Sequence, residues 1–79
     1  MNNNELFTRL NNVFRDVFDN ESISVNEQTS QDDIDEWDSL AQISLIAAVE
    51  NEFGIRFDIK NALKMKTAGQ IAEAILALQ

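Results

Sequence analysis

A chain of 79 residues, 44 % hydrophobic and 25 % charged, fits one small folded domain spanning 1–79 rather than a disordered polymer. With no cysteine and no histidine, it excludes a disulfide framework, thiolate metal sites and the commonest zinc ligand. A net charge of −8 argues against nucleic acid as a partner.

Met1 to Glu5 lacks a basic region followed by an apolar run, and no stretch approaches the roughly 20 apolar residues of a membrane span. The cytoplasm is the expected location. Without a secretion signal, the glycosylation sequon Asn20-Glu21-Ser22 carries no weight.

In chain order, Leu6, Leu10, Val13 and Val17 recur at helical spacing, and Phe7, Phe14 and Phe18 widen the stripe, so an amphipathic helix is predicted over 4–18. Asn2, Asn3 and Asn4 are each suited to cap it. Residues 19–38 are polar and aperiodic, with Ile23, Val25, Ile34 and Trp37 as apolar points able to pin a loop to the core. A loop of this length in so small a domain is usually functional.

That loop holds eight acids, Asp19, Glu21, Glu27, Asp32, Asp33, Asp35, Glu36 and Asp38, and no base; the other 59 residues hold six of each. The whole net charge therefore sits in the segment leading to Ser39, which suits a basic protein surface as partner. Asp33 and Asp35 alternate as in a calcium loop. However, Trp37 and Asp38 stand where such a loop needs an oxygen ligand and a glycine, and no glutamate closes it.

A second helix is predicted over 39–53, with Gly54 as its left-handed stop. Its apolar residues wrap too far round for a single stripe. Ile43, Ile46, Val49 and Phe53 are assigned to the core, and Leu40, Ala41, Leu45 and Ala48 to an exposed recognition face. A short helix is expected over 58–64, capped by Asp58 with Ile59, Ala62 and Leu63 inward. The capping box Thr67-Ala68-Gly69-Gln70 opens a last helix to about 78, with Ile71, Ile75 and Leu78 on one face. The expected fold is all-α, a small four-helix bundle of three longer helices and one short one with a long first loop.

Asp38-Ser39-Leu40 sets a hydroxyl where the acidic loop meets the apolar helix. Lacking histidine and cysteine, the chain has no base of the usual kind to make Ser39 a self-contained nucleophile, so a hydrolase is disfavoured and an outside enzyme must activate the hydroxyl. Ser39 is then a residue that receives a group. A plainer role exists for each residue: Asp38 as helix N-cap, and Ser39 as N-cap completing a capping box with Gln42.

These features together resemble the acyl and peptidyl carrier proteins, whose substrates ride on a 4′-phosphopantetheine arm. The resemblance runs over nearly the whole chain: the first amphipathic helix, the long loop, Asp38-Ser39-Leu40, the run Glu50-Asn51-Glu52-Phe53-Gly54-Ile55, and the capped last helix. It implies that the arm is attached covalently to Ser39 by a phosphopantetheinyl transferase, with Asp38 the acid beside the attachment point and Leu40 an apolar contact for visiting enzymes. Cargo would be held as a thioester on the arm, making the chain a carrier and not an enzyme. Acyl-loading and acyl-transfer enzymes with basic docking surfaces are the expected partners, meeting Leu40, Ala41, Leu45, Ala48, Asp35 and Glu36. Trp37 either belongs to that face or covers the loop over the helix end. The apolar second helix either lines a cleft for an acyl chain or contacts partners.

Two departures stand out. Glu36 replaces a glycine common in fatty-acid carriers, and the second helix has only Glu50 and Glu52, at its far end. Both favour a specialised pathway, such as polyketide or nonribosomal peptide synthesis, over housekeeping fatty-acid synthesis. A stand-alone monomer is expected. An unmodified helical adaptor, binding a partner through its second helix, is the alternative.

Overall fold

Asn2 starts the first helix: its extended backbone stops the helix from running back, and its Oδ1 accepts from the N–H of Glu5 at 2.8 Å. The computed structural model describes residues 2–79, and α1 runs Asn3–Phe18. It buries Leu6, Leu10, Val13 and Phe14, while Phe7, Val17 and Phe18 pack at the edge of the core. Asp19 ends it in the left-handed region at φ 50°, a conformation that aspartate tolerates better than most side chains.

The long loop is not loose. Ile23, Val25, Ile34 and Trp37 are all buried, as their isolation among polar residues predicts. Side chains of α1 also hold its backbone: Asn11 pairs with both polar groups of Val25, and Arg15 Nε donates to the Ile23 carbonyl at 2.7 Å. Thr29, itself buried, closes a local turn by accepting from Asn26 N–H at 2.9 Å.

Helix α2 spans Ser39–Phe53 and forms the main packing partner of α1; α3 is a single turn, Ile59–Ala62; and α4 spans Ala68–Leu78. Gly54 closes α2 at φ 65°, where a side chain would be strained. The predicted capping box of α4 is formed in full by Thr67 and Gln70. Arg9 ties α1 to the end of α2: its guanidinium lies 4.4 Å from the Phe53 ring centre and donates to the Glu52 carboxylate and carbonyl at 2.9 and 2.6 Å.

The start of α4 is stitched to the first loop. Ala68 N–H donates to the Thr29 carbonyl at 2.8 Å, Gly69 N–H to the Glu27 carbonyl at 3.2 Å, and Gln31 N–H to the Lys66 carbonyl at 3.2 Å, around an isolated antiparallel bridge between Ser30 and Thr67. No strand forms among the described residues.

One expectation fails here. Ile59 and Leu63 are not inward but 58 % and 49 % exposed, and only Ala62 of the third helix is buried. A helix of one turn has no second turn to repeat an inward face, so it buries a single small residue.

Candidate functional site

The loop reaches α2 through a tight turn in which Trp37 N–H donates to the Ile34 carbonyl at 3.1 Å and Asp38 N–H to the Glu36 carbonyl at 3.1 Å. Asp38 is the N-cap. Its backbone is extended, its Oδ1 accepts from Ala41 N–H at 2.8 Å, and its carbonyl accepts from Gln42 N–H at 2.9 Å. Ser39 is therefore the first helical residue rather than the cap, and the capping box of Ser39 with Gln42 does not form.

Ser39 is exposed, and no hydrogen bond engages its hydroxyl among the described residues. The N–H groups of Ser39 and Leu40 are also left without an internal acceptor, since the cap serves those of Ala41 and Gln42. Such a helix head favours negative charge, by typically 0.3–1 kcal/mol. A phosphodiester at Ser39 thus fits this site: the hydroxyl is accessible and stands at the positive end of the helix, where two N–H groups have no internal acceptor.

Ile46, Val49 and Phe53 are buried and Leu40 is exposed, as expected, but Ile43 and Leu45 change places. Gln42, Leu45, Ile46, Val49 and Phe53 form the buried stripe of α2, whereas Leu40 is 77 % and Ile43 53 % exposed. Leu45, expected at the surface, is fully buried, and Ile43, expected in the core, faces outward. The cause is Gln42. A polar residue occupies the head of the inward stripe, so choosing the most apolar set of positions puts Ile43 inward in place of Leu45.

Trp37 is 2 % exposed and belongs to the core, its ring edge-on to Phe14 with centres 5.1 Å apart. It covers the helix end rather than joining the outer face. Ala41 and Ala48 are half-buried, and Asp35, Glu36 and Asp38 are exposed. Among the described residues the ion pair is Arg9–Glu52, so the loop acids carry their charge without an internal basic partner. No group of three or more acids converges as a metal site among those residues.

Sequence reasoning missed Gln42 as a site residue. Its Oε1 accepts from the indole N–H of Trp37 at 2.6 Å, and its Nε2 donates to the carbonyls of Ala62 and Met65 at 2.8 and 3.1 Å. The residue before Asp38, the head of α2 and the end of α3 are thereby held together.

The bundle presents an unengaged hydroxyl at the head of its second long helix, a position open to covalent attachment of a group. The family described as "phosphopantetheine attachment site" matches residues 8–75, and the chain belongs to it, as a member of the acyl carrier proteins. Its fold matches the solution NMR structure of a holo acyl carrier protein from Geobacter metallireducens, with a TM-score of 0.84 and 36 % identity over 92 % of this chain and 84 % of that one. No curated protein matches the chain at a significant level. The chain is thus a carrier rather than an enzyme, its cofactor is covalently bound phosphopantetheine, and the unmodified-adaptor alternative falls away.

Proposed function

We propose that Ser39 is the attachment residue and that the whole chain, 1–79, acts as one carrier domain in a specialised acyl-transfer pathway. The observation that carries this reading is the exposed, unbonded Ser39 hydroxyl one residue beyond the Asp38 cap. When bound, phosphopantetheine supplies the thiol on which acyl groups are held. The chain's own part is to present the hydroxyl and to solvate the resulting phosphodiester with the free N–H groups of Ser39 and Leu40. A phosphopantetheinyl transferase must supply the base that takes the serine proton, because the chain has no histidine.

The partner face in this reading consists of Leu40, Ile43 and half-buried Ala41 on α2, with Asp35, Glu36 and Asp38 beside them. The acids lie before the helix and the apolar groups on it, an arrangement that supports acyl-loading and acyl-transfer partners whose basic rim surrounds an apolar centre. It also supports a polyketide, nonribosomal peptide or related pathway over fatty-acid synthesis, since the exposed side of α2 near Ser39 carries no acid. The reading includes a cytoplasmic monomer, in keeping with the absence of cysteine and the net charge of −8. Among the described residues no helix is long and apolar enough to cross a membrane.

Intact mass after incubation with coenzyme A and a broad-range transferase tests the assignment. The wild type gains one phosphopantetheine and Ser39→Ala gains none. Modification of Ser39→Ala, or none of the wild type, overturns it.

A further inference from the structure

Gln42 is 1 % exposed and lies one turn beyond Ser39. Both amide hydrogens and the amide oxygen are engaged, by partners from three places: Trp37 in the loop, Ala62 at the end of α3, and Met65 in the segment behind it. Trp37 in turn rests edge-on against Phe14 of α1. A continuous strut therefore crosses the bundle beneath the Ser39 turn, from α1 through the indole and the amide to α3.

Lifting α3 from the first turn of α2 would break both bonds of Gln42 Nε2, leaving a buried amide and the carbonyls of Ala62 and Met65 without their partners, a cost added to the loss of ordinary contacts. Three recesses on the surface lie away from the strut. They are lined by Ile23 and Asp35, by Phe7 and Leu76, and by Ala47 and Ile55, and none of them includes Gln42, Ala62 or Met65.

We propose that Gln42 is a positioning residue whose strut with Trp37 and α3 keeps the interior shut beneath Ser39, so that an acyl chain carried there stays on the surface. This rests on the reading of Ser39 as attachment residue. Leu40, Ile43, Ile59 and Leu63 then provide apolar surface outside the core on which a short chain can lie.

The test loads the wild-type protein from octanoyl-coenzyme A with a transferase and compares holo and octanoyl forms by NMR and thermal melting. Intact mass comes first: a missing mass gain overturns the Ser39 assignment and is read separately from the strut. With loading achieved, the Trp37 indole N–H, the Gln42 side-chain amide and the Leu45 and Ile46 methyls are expected to keep their holo positions, and the melting midpoint to stay unchanged. Shifted core methyls, or a midpoint raised by several degrees on octanoylation, overturn the proposal.

In Gln42→Ala the same methyls are expected to shift on octanoylation. Trp37→Phe drops the indole N–H yet keeps a ring against Phe14, so it provides the same comparison if Gln42→Ala does not fold. A core that stays shut in both folded variants also overturns the assignment to Gln42.

Discussion

Asn11 and Val25 are joined like opposed residues of two strands: Val25 N–H donates to Asn11 Oδ1 at 2.7 Å, and Asn11 Nδ2 donates to the Val25 carbonyl at 3.2 Å. A side chain on α1 thus takes the place of a partner backbone and fixes the middle of the acidic loop. Asn11→Ala leaves both loop groups partly buried without a partner, and a loss of about 1–3 kcal/mol is expected in urea unfolding. A loss below a few tenths would show that the buried loop residues suffice.

Asp38→Ala should cost about 1 kcal/mol, the usual worth of an N-cap, and Asp38→Asn should recover most of it. The asparagine keeps an oxygen for Ala41 N–H while removing a charge. Comparing transferase rates for the two variants separates capping from charge recognition: slowing of Asp38→Ala alone points to the cap, and equal slowing of both points to the carboxylate.

At Gly69 two effects oppose each other. Alanine is the better helix former by about 1 kcal/mol. However, a Cβ here would stand 2.5 Å from the Glu27 carbonyl oxygen, a backbone atom within the stitched junction. The clash should prevail, with Gly69→Ala destabilising by about 1–3 kcal/mol, a typical cost of overpacking. Neutral or higher stability would mean that the loop yields easily at this point.

Leu40 and Leu45 have the same side chain and opposite surroundings, 77 % and 0 % exposed. Leu45→Ala is expected to cost about 2–5 kcal/mol by cavity formation, whereas Leu40→Ala should change stability by less than about 0.5 kcal/mol. If Leu40 contacts visiting enzymes, the second variant slows acyl loading in a kinetic assay without moving the melting midpoint.

The legible parts of this fold are those written in local chemistry. Asn2, Asp58 and the Thr67–Gln70 box cap helices as their side chains suggest, and Ile23, Val25, Ile34 and Trp37 are buried because they are the large apolar side chains of the loop. The head of α2 was equally readable, since an Asp-Ser pair between a polar and an apolar segment marks a helix start. Which of Ile43 and Leu45 faces inward was not. Its apolar side chains lie on several sides, and its inward stripe begins with Gln42, whose burial depends on Trp37, Ala62 and Met65 arriving from elsewhere. The stitch between loop and α4 was hidden for another reason: it joins backbone to backbone, and leaves only Gly69 as a trace in the residue types.

The chain contains a single tryptophan and no tyrosine, and that tryptophan is two positions before Ser39, shielded from water and touching Phe14. Nature has in effect placed an optical label next to the attachment turn. Excited selectively, it emits from one environment only, so changes in its brightness or colour report locally on events at the head of α2. Attachment, loading and partner capture can each be followed in unlabelled protein.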